Sequence, residues 1–159
     1  MIGRLGLADF WPSSRLGCRR VSKLGKRSVH NLMSVQGTNR VLVVDDEEDV
    51  RDLLSRFLTR RGYVVDTVKD GEEAIARVLE DEPDIVLLDI RLPKMDGLKV
   101  LRRLREEAVE VAVITMSGVA DEDTARKSLE LGAADFITKP FNLPYLETSL
   151  LAKLILLET

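Results

Sequence analysis

From residue 40 onward, short apolar segments alternate with segments of helical periodicity, and this alternation restricts the chain to few folds. The apolar segments cover residues 41–44, 63–65, 85–88, 111–116 and 135–138. Helical patterns follow them, in 50–61, 70–79, 98–104, 124–131 and from 143 onward. Such alternation is typical of a parallel sheet with right-handed crossovers and helices on both faces. We therefore predict an α/β fold with a doubly wound, five-stranded parallel sheet.

The strand order of such a sheet decides which loops meet. In the order 2-1-3-4-5, strands 1 and 3 lie side by side, and ligands bind beyond the carboxyl ends of the strands at this point. Asp45 and Asp46 follow the first strand, and Asp89 follows the third. The order therefore brings three carboxylates to one crevice. Asp89 is the most constrained of them, because four apolar residues run directly into it and Pro93 follows it.

Three carboxylates that lie close together repel one another, and burial raises the cost of their charges. A proton on one of them, or a cation among them, removes this cost. Hard oxygen ligands in a shallow site suit Mg²⁺, and such a site fits phosphoryl transfer. In a structural alternative, Asp46 would cap the first helix, with Glu47 and Glu48 favouring its positive end. Capping and metal binding are compatible.

Two more polar residues are predicted at the same edge of the sheet. Ser117 ends the fourth strand and can donate its hydroxyl to an oxyanion, while Gly118 lets a backbone approach closely. Lys139 ends the fifth strand and would reach toward carboxylates or a phosphoryl group. Pro140, which follows it, is a candidate for a cis peptide bond. Taken alone, Ser117 could be an ordinary turn serine and Lys139 a solvated surface lysine. Their positions at the ends of successive strands, beside three acids, favour the functional interpretation.

Four motifs together resemble the receiver domain of two-component response regulators. They are VVDDE at 43–47, LDIRLPKMDG at 88–97, ITMSG at 114–118 and GAADFITKPF at 132–141. The resemblance covers roughly residues 40–158. It implies a flavodoxin-like fold of the kind found in single-domain chemotaxis regulators.

The resemblance also implies a phosphoryl acceptor and a metal site. Asp89 would accept a phosphoryl group from a phosphohistidine of a sensor kinase. Asp46 and Asp89 would bind Mg²⁺ directly, Asp45 would help through water, and the backbone carbonyl of Arg91 would be a further ligand.

A conformational switch follows from the same resemblance. Ser117 and Lys139 would hold the phosphoryl oxygens. Phe136 stands at the family's switch position and would turn inward as Ser117 moves toward the phosphate. The surface formed by helix 4, strand 5 and helix 5 would then change. The alternative for Phe136 is an ordinary core position.

The implied function is a phosphorylation-switched signalling module and not a turnover enzyme, with self-dephosphorylation of Asp89. Its partners would be a sensor histidine kinase or phosphotransfer protein and a downstream protein. A phosphatase of the aspartyl-phosphate type is disfavoured, because Arg91 stands where those enzymes have a second Asp. A receiver-like binding or dimerisation module that acts without phosphorylation is another alternative. The chain ends at residue 159, which indicates a single-domain regulator or a fragment of a larger transcriptional response regulator.

Residues 1–38 differ in character from the predicted receiver domain at 39–159. They lack sustained periodicity, and we predict a basic, disordered extension. Residues 1–40 hold eight Lys and Arg against one acid, whereas residues 41–159 carry a net charge of −10. Nucleic-acid binding by the receiver domain is therefore not expected. The extension could bind nucleic acid or anionic lipid, act as a transit peptide, or be leader translated ahead of a start at Met33.

The remaining features exclude several classes of protein. Cys18 and His30 are each the single residue of their type, which excludes a disulfide framework and a multi-His metal site. No apolar run approaches the roughly 20 residues of a membrane span, and we expect a cytoplasmic location. The last helix is apolar on more than one face. Tight packing and a homodimer or partner surface are equal alternatives for its residues Leu150, Leu151, Leu154, Ile155, Leu156 and Leu157.

Overall fold

A computed structural model describes residues 39–119 and 121–158, and these residues form a parallel sheet flanked by helices. The strands are β1 (Arg40–Val44), β2 (Val64–Val68), β3 (Ile85–Asp89), β4 (Ala112–Ser117) and β5 (Asp135–Thr138). The helices are α1 (Glu48–Thr59), α2 (Gly71–Asp81), α3 (Gly97–Glu106), α4 (Glu122–Glu130) and α5 (Leu143–Glu158). The strand order is β2-β1-β3-β4-β5, which confirms the predicted doubly wound sheet. The interpretations of residues 1–38 lie outside the described residues.

The apolar segments are continuous because the central strands are buried on both faces. On one face, Val41 and Val43 pack with Leu54 and Leu58 of α1 and with Leu146 of α5. On the other face, the alternate residues of β1 and β3 pack against α2 and α3. The strand residues are Leu42, Val44, Val86 and Leu88, and the helix residues include Ala74, Val78, Val100 and Leu104. A strand enclosed in this way has no polar face, so its sequence does not alternate.

The second strand was predicted too far toward the amino terminus. It runs over Val64–Val68 and contains Asp66 and Thr67, whereas the sequence indicated 63–65. As the outer neighbour of β1 it is only partly buried, so polar side chains are tolerated there and the apolar run is interrupted. The fourth strand begins at Ala112, one residue after the predicted apolar segment begins, and it ends at Ser117, as predicted.

Three helices begin at aspartate side chains that accept backbone N–H groups. Asp70 accepts from the N–H of Glu73 at 2.9 Å, and Asp96 accepts from that of Leu98 at 2.7 Å. Asp121 does the same for α4, which therefore begins at Glu122 and not at the predicted residue 124. These caps satisfy N–H groups that have no partner within the helix.

The apolar side chains of the last helix are divided between the core and the surface. Leu150 and Leu154 are buried, and Leu157 packs against the same core. Leu151 and Ile155 are exposed to 49 % and 62 %. Packing thus accounts for one side of α5, and a partner for the other side stays a prediction. No helix in the described ranges is long and apolar enough to cross a membrane.

Candidate functional site

The register of the sheet brings two aspartates together at its carboxyl edge. β1 and β3 are parallel neighbours, and Val44 is paired with Leu88. Asp45 and Asp89 come directly after these two residues. Both carboxylates are buried, Asp45 completely and Asp89 to all but 3 %. Two charges of one sign are therefore held in a region poor in water, which requires a compensating cation or proton.

Lys139 supplies the compensating charge. Its Nζ lies 2.6 Å from Asp45 Oδ2 and 3.2 Å from Asp89 Oδ2. A third carboxylate, on the exposed Glu47, lies 3.4 Å away. Lys139 stands just after β5, where its N–H donates to the Ser117 carbonyl oxygen, and its peptide bond to Pro140 is cis, as expected. The predicted reach of this lysine across the crevice is thus observed.

The protonation equilibria of the site reflect burial and the neighbouring charges. Burial raises the pKa of Asp89 to about 6, the Asp45 charge adds to this effect, and Lys139 opposes it. Burial alone would lower the pKa of Lys139, but its bonds to Asp45 and Asp89 outweigh burial and raise it. Asp89 is therefore ionised at neutral pH while remaining poorly solvated.

The carboxylates fit a hard divalent cation. Oxygens of Asp45, Asp46, Glu47 and Asp89 all lie within 4.8 Å of one another. Asp46 and Glu47 are exposed at the rim, while Asp45 and Asp89 form the floor. An all-oxygen donor set that is open on one side matches Mg²⁺, which keeps several of its waters. The sequence predicts Glu47 only at the start of the first helix. Its position next to Asp46 is the signal that indicates a place in the carboxylate cluster.

The structural alternative for Asp46 differs from what the structure shows. The N-cap residue of α1 is Glu47, and it makes no side-chain cap hydrogen bond. The turn is instead closed by Asp45, whose Oδ1 accepts the N–H of Glu47 at 2.9 Å. Arg51 supports the same turn by donating to the Asp45 carbonyl oxygen at 2.7 Å. The geometry therefore leaves the Asp46 carboxylate at the rim of the crevice.

The loop after β3 is packed tightly beneath Asp89. The Arg91 N–H donates to Asp89 Oδ1 at 3.2 Å. The Gly97 N–H donates to the Ile90 carbonyl oxygen at 2.8 Å. A Cβ built on Gly97 would overlap the Asp89 carbonyl oxygen and lie 2.7 Å from Ile90 Cα. The sequence indicates only a turn at Gly97, and it gives no signal of the close approach of Gly97 to the backbone of Asp89 and Ile90.

Of the remaining predicted residues, Ser117 ends β4, Gly118 follows it, and Phe136 is the second residue of β5. Ser117 is buried, and its Oγ accepts the N–H of Val119 at 3.2 Å. Phe136 is half-buried and is paired with Thr115 across the two strands. A Cβ on Gly118 would meet nothing within 4 Å, so protein packing does not explain this glycine. A close approach of a bound group to Gly118 stays a prediction.

Comparison with known proteins identifies relatives for the folded part of the chain. A family profile described as "Response regulator receiver domain" matches residues 41–151. The alkaline phosphatase synthesis transcriptional regulatory protein PhoP of Bacillus subtilis is 42 % identical over 103 residues, which are 65 % of this chain and 43 % of that protein. The regulatory protein AtoC of Escherichia coli is 40 % identical over 105 residues, 66 % of this chain and 23 % of that one. The chain thus spans less than half the length of either.

Solved structures show the same similarity. A CheY-like response regulator receiver domain protein from Methanospirillum hungatei superposes with a TM-score of 0.73 at 29 % identity, covering 77 % of this chain and 98 % of that one. The BeF3-activated N-terminal receiver domain of Klebsiella pneumoniae RstA gives 0.70 at 29 % identity, covering 73 % and 98 %.

Proposed function

This chain belongs to the response regulator receiver domain family of two-component signal transduction, and from that membership we propose that it is a phosphorylation-switched signalling module. The observation that carries the proposal is the position of Lys139, whose ammonium group lies between the Asp45 and Asp89 carboxylates. This arrangement presents an ionised carboxylate and a cation at the same point, which phosphoryl transfer requires.

Asp89 is the proposed acceptor. One of its oxygens attacks the phosphorus atom, a P–O bond forms, and the bond between phosphorus and the nitrogen of a donor phosphohistidine breaks. The attack requires the ionised carboxylate, and a pKa of about 6 leaves it ionised at neutral pH. Partial desolvation raises its basicity above that of an ordinary aspartate.

The acidic residues are proposed to hold Mg²⁺. Asp46 and Asp89 would bind it directly, Asp45 through water, and the Arg91 carbonyl would be a further ligand. When bound, Mg²⁺ would neutralise the charge that develops on the phosphoryl oxygens. Glu47 has its oxygens within the same 4.8 Å cluster and would keep a further negative charge at the rim.

Lys139 and Ser117 are proposed to bind the phosphoryl oxygens once Asp89 is modified. Lys139 lies 3.2 Å from Asp89 Oδ2, so it can transfer part of its hydrogen bonding to a group attached there. Ser117 Oγ accepts the Val119 N–H, so its own proton would be free to be donated to a phosphoryl oxygen in a charge-assisted bond. Phe136 would move inward as Ser117 shifts. The altered surface would comprise α4, β5 and α5.

The proposed partners follow from this cycle. A sensor histidine kinase or phosphotransfer protein would donate the phosphoryl group, and a downstream protein would bind the altered surface. The chain would accept one phosphoryl group and lose it to water, without turnover of foreign substrates. Because PhoP is described as a transcriptional regulatory protein, attachment of this domain to a DNA-binding output is also proposed.

Phosphorylation by acetyl phosphate tests the proposal directly. Intact-mass spectrometry would compare the wild type, Asp89→Asn and Asp123→Asn, with Mg²⁺ and with EDTA. We expect one phosphoryl group on the wild type and on Asp123→Asn, whose carboxylate is exposed at the start of α4. Neither Asp89→Asn nor any sample in EDTA should gain mass. If the wild type gains none under any condition, the phosphoacceptor role is wrong, and a binding module on the same fold remains.

A further inference from the structure

Helix α4 is attached to the sheet in a different way from its neighbours. The other helices bury apolar side chains, such as Leu54 and Leu58 in α1 or Val100 and Leu104 in α3. In α4, all nine residues of which are described, the single buried residue is Ser128. The burial of this polar side chain is favourable only if its hydroxyl has a hydrogen-bond partner.

The partner is Thr115 of β4, and the geometry fixes the direction of the bonds. The two hydroxyl oxygens lie 2.5 Å apart, and both residues are fully buried. Thr115 Oγ1 donates its proton to the Asp135 carbonyl oxygen at 3.2 Å. Since a hydroxyl carries one proton, Ser128 donates to Thr115. The bonds therefore run in order from α4 through β4 to the first residue of β5.

Asp135 continues the connection to α5. Its Oδ2 accepts from Ser149 Oγ at 2.5 Å and from Tyr145 Oη at 3.2 Å. Its Oδ1 accepts the N–H of Phe136 at 2.8 Å. We call the path from Ser128 through Thr115 and Asp135 to Ser149 and Tyr145 the hydroxyl chain. It joins α4, β4, β5 and α5 through bonds between side chains and through the bond of Thr115 to the Asp135 carbonyl oxygen.

We propose that Thr115, Ser128, Asp135 and Ser149 are positioning residues, and that the hydroxyl chain makes α4 and α5 respond together when the end of β4 moves. The proposal rests on the proposed function for the origin of that movement, because Thr115 lies two residues before Ser117 in the same strand. A displacement of β4 or α4 that parts the two buried hydroxyls takes from Ser128 Oγ its partner, while Thr115 Oγ1 keeps its bond to the Asp135 carbonyl oxygen. Concerted movement keeps them paired, so it costs less.

This connection differs from the proposed contacts of Ser117 and Lys139 with the phosphoryl group. It passes beside Phe136, which is paired with Thr115 and donates its N–H to Asp135 Oδ1, and it ends on Ser128 and Ser149 in two helices. Spatial continuity alone does not establish coupling, so the test must measure it.

Hydrogen exchange of the full chain, followed residue by residue by NMR, provides that test. Thr115→Val keeps the shape of the side chain and removes the hydroxyl, whereas Thr115→Ser keeps the hydroxyl. In the unphosphorylated protein, Thr115→Val and Ser128→Ala should each lower the protection of α4 amides against hydrogen exchange by about two- to tenfold, as expected for the loss of one hydrogen bond. Thr115→Ser should restore it. Thr148→Ala, which removes an exposed hydroxyl bonded to the Pro144 carbonyl oxygen, is the matched control.

Coupling is measured in two ways on the same samples. The first is a double-mutant cycle of Thr115→Val and Ser149→Ala in the unphosphorylated protein, with the protection of α5 amides as the readout. We expect the loss of protection in the double mutant to differ from the sum of the losses in the single mutants. Beryllofluoride with Mg²⁺, used as a phosphoryl mimic, should change exchange in both α4 and α5 of the wild type. In Thr115→Val the change at α5 should fall at least twofold, while that at Gly118 and Val119 persists.

The outcomes separate this inference from the proposed function. If the wild type responds to beryllofluoride and Thr115→Val transmits the full response to α5, the inference is wrong and the proposed function stands. If the wild type does not respond to beryllofluoride, the proposed function is wrong, and the double-mutant cycle alone tests the inference. Additive effects of Thr115→Val and Ser149→Ala contradict the inference, and non-additive effects support the hydroxyl chain as the link between the helices.

Discussion

Lys139 Nζ donates to Asp45 Oδ2 across 2.6 Å, although 94 residues separate the two in sequence. The strands that carry them, β1 and β5, are not neighbours, because β3 and β4 lie between them. The Lys139 ammonium group is therefore held at the end of a strand that lies three positions away from β5 in the sheet. Its charge is the local compensation for the buried aspartates, and this has measurable consequences.

Replacing Lys139 by Met should destabilise the protein and tighten metal binding. Two buried carboxylates would lose their cation, and the free energy of unfolding in EDTA should fall by about 3 kcal/mol. Affinity for Mg²⁺ should rise about tenfold, because a competing positive charge has been removed. Urea denaturation and titration calorimetry measure the two effects. The exposed Lys99→Met is the control, and unchanged Mg²⁺ affinity in Lys139→Met would contradict the expectation.

Asp89→Asn should change how stability depends on pH in metal-free protein. The pKa of Asp89 is raised from 3.8 to about 6 on folding, so the folded state keeps a proton that the unfolded state has lost in this window. The contribution of Asp89 to the free energy of unfolding therefore falls as pH rises from about 4 to 6, by about 3 kcal/mol.

The difference between the variant and the wild type isolates this effect, since other groups titrate in both. We expect Asp89→Asn to gain stability over the wild type progressively between pH 4 and 7 in EDTA. Denaturant melts at four or five pH values measure it. A difference that does not vary with pH would show that burial does not disfavour the Asp89 charge.

Gly97→Ala should be far more damaging than Gly118→Ala. The added methyl group at Gly97 would meet backbone atoms of Asp89 and Ile90, which cannot rotate away as a side chain could. We expect a loss of about 3 kcal/mol, at the upper end for overpacking. At Gly118 there is open space, and the change should stay within about 0.5 kcal/mol. Thermal or urea denaturation of both variants checks this, and equal losses would contradict it.

Asp135→Asn should lower the pKa of Tyr145. The Asp135 charge is the main cause that raises this pKa, and the carboxylate also accepts the tyrosine hydroxyl. Titration of ¹³C-labelled tyrosine by NMR would show the shift toward the ordinary value of 10.0. Tyr63, whose pKa is raised chiefly by burial, serves as an internal control. Equal titration of Tyr145 in both proteins would mean that the Asp135 contact does not form in solution.

The strands and the acidic crevice could be predicted because their signals are local. Four consecutive apolar residues before Asp89 indicate a strand enclosed on both faces, and topology then brings Asp45 beside it. The partner of Lys139 could not be predicted in the same way. Its choice of Asp45 over Asp46 depends on which carboxylate points into the crevice, and that is set by the turn that Asp45 closes.

The bond between Ser128 and Thr115 and the contact of Gly97 with Asp89 could not be predicted, because residues of these types are common and have no distinctive pattern here. Ser128 has no sequence signal of burial, since hydroxyl residues occur mostly on surfaces. Thr115 lies in the predicted fourth strand, but the sequence does not indicate its partner. Only the tertiary structure brings their oxygens within 2.5 Å. Gly97 looked like a turn residue, and its contact with Asp89 requires the fold of the intervening loop.

All five residues of β3 are buried. A strand without an outward face offers no position where a side chain can be exchanged without disturbing one layer or the other. Asp89, the proposed acceptor, therefore lies at the end of a strand that tolerates few substitutions. Under the proposed function, exposed side chains around the opening, such as Arg91 and Val119, are the positions where the rate of phosphorylation or dephosphorylation could be adjusted without disturbing the strand that holds Asp89.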